Sequence, residues 1–309
     1  MTNKVLVVGS TVVYDYLFTV EQLPRPGQPA FIKDHPAAKL DKKYPGGTAF
    51  NIAVQLATLG EESKLLHPVG VDFPGSEYEQ KLLKLGVDTV GLLQHQETSS
   101  GFAYLFTNPA GETLIFTYPS RIPDQAIPQE VFQGIEWLVL TPSFGPFQES
   151  SLQQYHPDRH KLGVVGMAHP ALVKWLPDLD LLSINATEAQ QLVEYAGFRT
   201  TRELAEELAG ILIVTEGKRG CYVHELDGKV TQLVSIAPDR YIDPTGAGDG
   251  FAAAVIAGLR RGYSAVEAAR IGTVTASYIV EAFGCQTNMP TWREIFTRMK
   301  QHDISIEER

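Results

Sequence analysis

The sequence predicts an α/β protein: a doubly wound, mostly parallel sheet carrying a small β-sheet lid. Three observations predict it. Short, continuously apolar runs recur along the chain, helical periodicities lie between several of them, and one segment switches to period two. Continuous apolar runs mark strands buried on both faces, as parallel strands covered by helices are.

Val5-Leu6-Val7-Val8, closed by Gly9-Ser10, is the first such run and starts the central sheet. Residues 23–44 are rich in Pro, Lys and Asp and read as edge strands and loops. Over 48–59 the residues Phe50, Ile52, Ala53, Leu56, Ala57 and Leu59 recur at helical spacing, and Gly60 is a C-terminal stop, so Gly46-Gly47 opens a helix. A short strand over 65–71 and a helix over 75–85, stopped at Gly86, continue a β-α-β-α rhythm. Between 101 and 118 Phe102, Tyr104 and Phe106 alternate, as do Leu114, Phe116 and Tyr118, around Asn108-Pro109-Ala110-Gly111, which is a β-hairpin. Its aromatic stripe reads first as a lid face packed on other strands and second as a substrate contact; both hold if the hairpin covers a site. Trp137-Leu138-Val139-Leu140, Leu162-Gly163-Val164-Val165, Leu181-Leu182-Ser183-Ile184 and Ile211-Leu212-Ile213-Val214 supply further strands. The expected organisation is a core from 1–10, 45–95 and 122–309, with lid inserts at 11–44 and 96–121.

Composition excludes several classes of function. Within 309 residues, 44% hydrophobic and 20% charged content is ordinary globular usage. With 26 basic against 36 acidic residues, the net charge is -10 and no basic run forms a stripe, so nucleic acid is not an expected partner. Two cysteines, Cys221 and Cys285, make neither a disulfide framework nor a zinc spacing, which fits a reducing cytoplasm. The first residues resemble no signal segment and no apolar stretch reaches membrane-spanning length, so no membrane is expected.

Chemistry concentrates in Asp243-Pro244-Thr245-Gly246-Ala247-Gly248-Asp249-Gly250-Phe251. Two glycines in three residues precede a helix whose Phe251, Val255, Ile256 and Leu259 share a face and which ends at Gly262. A glycine-rich turn entering a helix presents unpaired N–H groups and the positive end of the helix dipole, an anion hole suited to a transferred phosphoryl group. Asp249 alone could be a simple N-cap. That reading leaves the bare turn around Ala247 and the second carboxylate, Asp243, without a reason, whereas phosphoryl transfer needs an Asp to accept a hydroxyl proton.

Asp243-Pro244-Thr245-Gly246-Ala247-Gly248-Asp249 closely resembles the C-terminal signature of the ribokinase-like (PfkB) carbohydrate and nucleoside kinases. Tyr44-Pro45-Gly46-Gly47-Thr48-Ala49-Phe50-Asn51-Ile52-Ala53 is similar to the family's Gly-Gly segment, Asn185-Ala186-Thr187-Glu188 to its Asn-x-x-Glu, and Thr215-Glu216-Gly217-Lys218-Arg219-Gly220 to its nucleotide loop. Order and spacing agree from about residue 4 to about 298. The resemblance implies ATP as donor and Asp249 as the base, with the N–H groups of Gly246, Ala247 and Gly248 holding the transition-state charge. Asn185 and Glu188 would order Mg²⁺ at the phosphates, Glu188 through water, although an Asn followed three residues later by Glu is also a helix cap. Thr215, Gly217, Gly220 and Gly284 would touch the nucleotide; Lys218 and Arg219 have no assigned role. Asp15, Gly46, Gly47 and Asn51 would bind the acceptor's hydroxyls, with Asp15 one residue further from Gly9 than in ribokinases. Asp243, with carbonyls around Thr245 and Gly284, is similar to a monovalent-cation (K⁺) site of some members.

The tail Glu281-Ala282-Phe283-Gly284-Cys285-Gln286-Thr287-Asn288-Met289-Pro290-Thr291-Trp292 resembles archaeal-type nucleoside kinases. It implies a nucleoside, phosphorylated on the 5'-hydroxyl, ahead of a sugar (ribose, fructose or a sugar phosphate), and either ahead of a non-catalytic ligand-binding relative. A sugar phosphate would call for basic residues near the lid, where Lys33, Lys39, Lys42 and Lys43 stand. Exposed lid strands could also pair two subunits as a homodimer. Ala168-His169-Pro170 departs from the Asp-Pro of many relatives; His169 reads as a strand-end residue, and Pro157 keeps His156 and His160 off one continuous helix. No dinucleotide-binding Gly-x-Gly-x-x-Gly follows Gly9, and no P-loop occurs.

Overall fold

The computed structural model describes residues 3–33 and 42–309. Strand β1 (Lys4–Val8) is buried along its whole apolar length, and its alternation sends Val5 and Val7 into one apolar cluster and Leu6 and Val8 into another. Each large aliphatic side chain withdrawn from water contributes roughly 1.5–3 kcal/mol, so such a strand is stable between two helical layers.

The chain continues through β2 (Tyr14–Val20), β3 (Ile32–Lys33), β4 (Tyr44–Pro45), α1 (Thr48–Thr58), β5 (Ser63–Val69), α2 (Glu77–Lys84) and β6 (Asp88–Gln94). The hairpin β7 (Phe102–Thr107) and β8 (Thr113–Tyr118) follows, then β9 (Ile135–Leu140), α3 (Pro146–Gln153), β10 (Lys161–Val165), β11 (Leu181–Asn185), α4 (Ala186–Ala196) and α5 (Thr201–Glu206). The remainder is β12 (Ile211–Thr215), β13 (Cys221–His224), β14 (Val230–Leu233), α6 (Ala247–Arg260), α7 (Ala265–Ile279) and α8 (Trp292–Gln301).

Nine strands form the large sheet in the order β14-β13-β12-β11-β10-β9-β1-β5-β6. It is parallel from β6 to β12, and β13 runs antiparallel to both β12 and β14. Helices α1, α2, α6, α7 and α8 pack on one face and α3, α4 and α5 on the other, which is the doubly wound architecture the sequence predicts. Three strands lie outside that expectation. β6 is an edge strand interrupted by Gly91, and β13 and β14 are short, half-exposed and at the opposite edge, so none carries a continuous apolar run. The strand expected over 65–71 starts earlier, at Ser63-Lys64, because Lys64 is buried with its ammonium donating to the Glu130 carbonyl at 2.7 Å.

A second sheet, β3-β2-β7-β8 with β4 paired to β2, forms the lid. Its register sets Asp15 beside Ala103 and Leu17 beside Leu105, all buried on the inward face. Tyr16, Phe18, Phe102, Tyr104, Phe106, Phe116 and Tyr118 take the alternate positions on the outward face, where the rings pair across strands: Phe18 on Phe106 at 4.9 Å, Tyr16 on Tyr104 at 5.0 Å and Phe102 on Tyr118 at 5.2 Å. The aromatic stripe is therefore a lid face packed across strands, turned away from Asp15. His169 accepts a hydrogen bond from the Ala171 N–H and stacks on Phe144, while His160 accepts from the His156 N–H in a turn; these histidines have structural roles.

Candidate active site

A cavity opens at the start of α6. The donor-side cavity, about 320 Å³, is lined by Asn185, Thr215, Gly217, Gly220, Ala247 and Gly248, with Lys218, Tyr241 and a wall of small side chains from α7. It lies at the C-terminal ends of the parallel strands β11 and β12, where open α/β sheets bind ligands. Gly246, with φ 81°, is the N-cap of α6, and a Cβ there would stand 2.7 Å from the Cβ of Cys285. Gly248 faces open space. The first-turn N–H groups of a helix have no intrahelical acceptor. That of Ala247 is already closed onto the Pro244 carbonyl at 3.2 Å, so the donors turned to the cavity come from its neighbours.

Asn185 and Glu188 form a complete capping box on α4: the Asn185 side chain accepts from the Glu188 N–H and the Glu188 carboxylate from the Asn185 N–H, each at 2.9 Å. Burial raises the Glu188 pKa, against the hydrogen bonds from Asn185 that lower it. Arg219 pairs with Glu216 at 3.0 Å, whereas Lys218 reaches across the donor side, 4.1 Å from the Tyr241 ring centroid and 3.5 Å from the Ala110 carbonyl of the lid hairpin. Gly284 departs from its expected nucleotide contact. Its N–H is tied to Asp243 Oδ2 at 2.9 Å, and it lines a separate cavity with Tyr44, Lys81 and Arg240. The other oxygen, Asp243 Oδ1, accepts from the Thr245 N–H at 3.0 Å and hydroxyl at 2.6 Å, so this carboxylate ties two loops together.

On the acceptor side, α1 begins at the Gly46-Gly47 turn. Gly47 has φ 80°, and a Cβ on it would lie 1.9 Å from the Val12 carbonyl oxygen. At Gly46 a Cβ would meet the Asp15 carboxylate at 2.0 Å, so Asp15 itself packs against the bare backbone of the turn. Thr48 and Asn51, one helical turn apart, both face Asp249; Asn51 Nδ2 donates to Asp249 Oδ2 at 2.7 Å. Burial pushes the Asp249 carboxyl up to about 6, the hydrogen bonds from Asn51 and Thr48 lower it, and the Glu188 charge raises it. Burial pushes Asp15 up to about 7; the hydrogen bond from the Cys285 thiol, at 3.3 Å, lowers it, and the charges of Asp249 and Asp243 raise it.

Asp15, Gly46, Gly47, Asn51 and Asp249 thus form one cluster, with Asn185, Thr215, Gly217, Gly220 and Gly248 around the neighbouring cavity. Sequence reasoning gave no role to Thr48, Tyr78, Lys81, Tyr241, Cys285 or Gln286. Only Thr48 carried a local signal, its i,i+3 spacing from Asn51. Among the basic residues considered for a sugar phosphate, Lys33 pairs with Glu21, Lys43 with Asp72, and Lys42 lies over the Tyr44 ring; Lys39 lies outside the described residues. Among the described residues no cluster of three or more His, Cys, Asp or Glu could hold a metal ion, and no helix is long and apolar enough to cross a membrane.

Comparison with known proteins gives a consistent setting. The profile of the pfkB family carbohydrate kinases matches residues 2–292. A nucleoside kinase of Methanocaldococcus jannaschii is 30% identical over 98% of both chains, and its crystal structure superposes with a TM-score of 0.80 at 28% identity over 97% of this chain and 99% of that one. A nucleoside kinase of Burkholderia thailandensis in complex with inosine shares the fold with a TM-score of 0.82 at 20% identity, covering 96% and 97% of the two chains. A ribokinase of Cryptococcus neoformans in complex with ADP does so with a TM-score of 0.81 at 22% identity, covering 96% and 100%.

Proposed function

The chain belongs to the pfkB family of carbohydrate kinases, and from that premise we propose that it transfers the γ-phosphoryl group of ATP to the 5'-hydroxyl of a nucleoside. One observation carries the reading. Asp249 stands between the donor-side cavity, through Gly248, and the hydroxyl-binding cluster, through its hydrogen bond to Asn51. Ionised Asp249 takes the proton of the acceptor hydroxyl as that oxygen attacks the γ-phosphorus, while the N–H groups of Gly246 and Gly248 and the α6 dipole offset charge on the phosphoryl oxygens. Asp15 accepts hydrogen bonds from ribose hydroxyls, its carboxylate seated against the bare backbone of Gly46.

The nucleoside reading is supported by the 30% identity to the Methanocaldococcus nucleoside kinase and by the lid. Leu17, two positions along the inward face from Asp15, lines a further cavity of about 230 Å³ with Tyr241, Ile242 and Phe283 and with the polar Asn108 and Asp243, a mixed surface that suits a base beyond the sugar. A sugar phosphate is disfavoured because the described lid lysines already have partners. Asn185, which lines the donor-side cavity, and its capping partner Glu188 would hold Mg²⁺ there, Glu188 through water, where the ion would neutralise the nucleotide phosphates. K⁺ at Asp243 would have to share oxygens that Thr245 and Gly284 already engage. Both cysteines are buried thiols, in keeping with a cytoplasmic enzyme.

The outward face of the lid supports a homodimer. Tyr104, Phe116 and Tyr118 are 37%, 57% and 56% exposed beside the edge strand β8, and a contiguous aromatic face with an open edge suits a second copy of this chain. Sedimentation of Phe116→Lys as a monomer, against a wild-type dimer, checks it; a monomeric wild type ends it. The substrate reading is tested with ATP and Mg²⁺ on adenosine, inosine, guanosine, cytidine, ribose and fructose. A nucleoside 5'-monophosphate is the expected product, and turnover of the sugars with none of the nucleosides overturns it.

A further inference from the structure

We propose that Gln286 is a positioning residue for the base: it fixes which end of the Asn51 carboxamide meets Asp249, and Lys81 fixes Gln286 in turn. The inference rests on Asp249 being the base. An Asn side chain has two ends of nearly equal shape, a donor and an acceptor, and its partners decide which end points where. Asn51 gives Nδ2 to Asp249 Oδ2 at 2.7 Å and takes Gln286 Nε2 on Oδ1 at 2.8 Å. Gln286 is pinned at its own two ends: Nε2 also donates to the Tyr78 hydroxyl at 2.5 Å, and Oε1 accepts from Lys81 Nζ at 3.0 Å. The Lys81 ammonium further donates to the Gln286 carbonyl at 3.3 Å.

The chain therefore reads in one direction, ammonium to amide to amide to carboxylate, with every link a donor facing an acceptor. Reversing Gln286 would set its amide nitrogen against the Lys81 ammonium and its oxygen against Asn51 Oδ1. Reversing Asn51 would set a carbonyl oxygen against the Asp249 carboxylate. Asn51 and Gln286 are buried, so water does not repair either mismatch. Burial lowers the Lys81 pKa, and the half-buried ammonium takes both the side-chain oxygen and the carbonyl of Gln286 as acceptors. Tyr78 branches from the same chain and donates to the Gly46 carbonyl at 3.0 Å, so one side chain orients both the base and the turn against which Asp15 packs.

Among the described residues, the charged and titratable groups that face Asp249 are Glu188 from the start of α4, Asp15 from β2 and the Cys285 thiol, and the Asp243 charge acts on Asp15. None of these donates a hydrogen bond to Asp249. Its donors among the described residues are Asn51 and Thr48, and both hold the carboxylate down against burial. Losing the properly turned Asn51 consequently raises the pH at which the base protonates.

The test is the pH profile of kcat at saturating ATP and acceptor for Gln286→Glu, Gln286→Met, Lys81→Met and Lys81→Arg, with thermal unfolding of each. In Gln286→Glu the introduced carboxylate can only accept from Asn51, which turns the Asn51 oxygen toward Asp249. The acid limb should move up by about one pH unit, from near 6 to near 7, so kcat should fall roughly tenfold on the acid side of the limb and only about twofold at neutral pH, in the range of one hydrogen bond to a charged group. Gln286→Met and Lys81→Met should shift the limb less, and Lys81→Arg should retain the wild-type profile. Should Gln286→Glu fail to fold, the two Met variants decide. An equal loss of kcat at every pH, with the limb unmoved in folded variants, overturns the proposal and leaves Gln286 a packing role. A wild type without any acid limb would instead overturn Asp249 as the base.

Discussion

The donor and acceptor sides of the site are built by different means. On the donor side the working groups are mostly backbone: a left-handed Gly246, the bare Gly248 and the loop from Thr215 to Gly220, each contained in a few consecutive residues. On the acceptor side they are side chains gathered from β2, α1, α2 and the segment after α7; Asn51 lies 198 positions from Asp249, and Cys285 lies 270 from Asp15. Backbone sites are specified by local turn chemistry, whereas side-chain networks exist only once the fold is complete. The donor side should therefore be the more sensitive to added volume and the acceptor side to altered polarity.

Asp249 belongs to both regions, and its removal should have the largest effect. Asp249→Ala is expected to lower kcat by about 10²–10⁴-fold, the usual contribution of a positioned general base. Acceptor affinity measured by calorimetry should change by only a few-fold, because the lost interaction is made chiefly in the transition state. If affinity collapses while kcat on the bound fraction is retained, Asp249 is an acceptor-binding residue and the boundary between the two sides is misplaced.

Two alanine substitutions separate volume from conformation within the donor side. Gly246→Ala meets Cys285 and adopts a positive φ, so it should cost roughly 1–3 kcal/mol in thermal unfolding and also lower turnover. Gly248→Ala meets nothing within 4 Å and should fold normally, with its methyl group entering the donor cavity and raising KM for ATP rather than for the nucleoside. Equal stability for the two variants would contradict the strained turn.

That contrast explains how much was legible in the sequence. β1, α1, the hairpin and the start of α6 carry their own periodicity, caps and glycines, and the sheet follows from their alternation. The lid's division into an inner polar and an outer aromatic face was half legible: period two gave the stripe, but only the register with β2 shows that it turns away from Asp15. Tyr78 and Lys81 look like ordinary residues of an amphipathic helix until Gln286, more than 200 positions away, is brought beside them. Gly284 and Ala247 carried motif-based expectations that local hydrogen bonds to Asp243 and Pro244 now qualify.

The smallest expected effect is on pH dependence, and it tests whether acceptor-side polarity acts through charge. As a carboxylate Asp15 offers two charged acceptor oxygens to two hydroxyls, and protonation turns one of them into a donor. Burial pushes it up to about 7, so the ionised fraction falls as pH drops through 7 and KM for the nucleoside should rise several-fold there. Asp249, pushed up to about 6, should hold kcat until pH falls further. In Asp15→Asn the limb near 7 should vanish from kcat/KM while the limb in kcat near 6 remains. In Asp249→Asn, titrating nucleoside binding rather than turnover, the Asp15 limb should move to lower pH, because the Asp249 charge is one of the influences that raise it. An unmoved Asp15 limb in that variant would mean that the two carboxylates do not sense one another and that the acceptor cluster is electrostatically separate from the base.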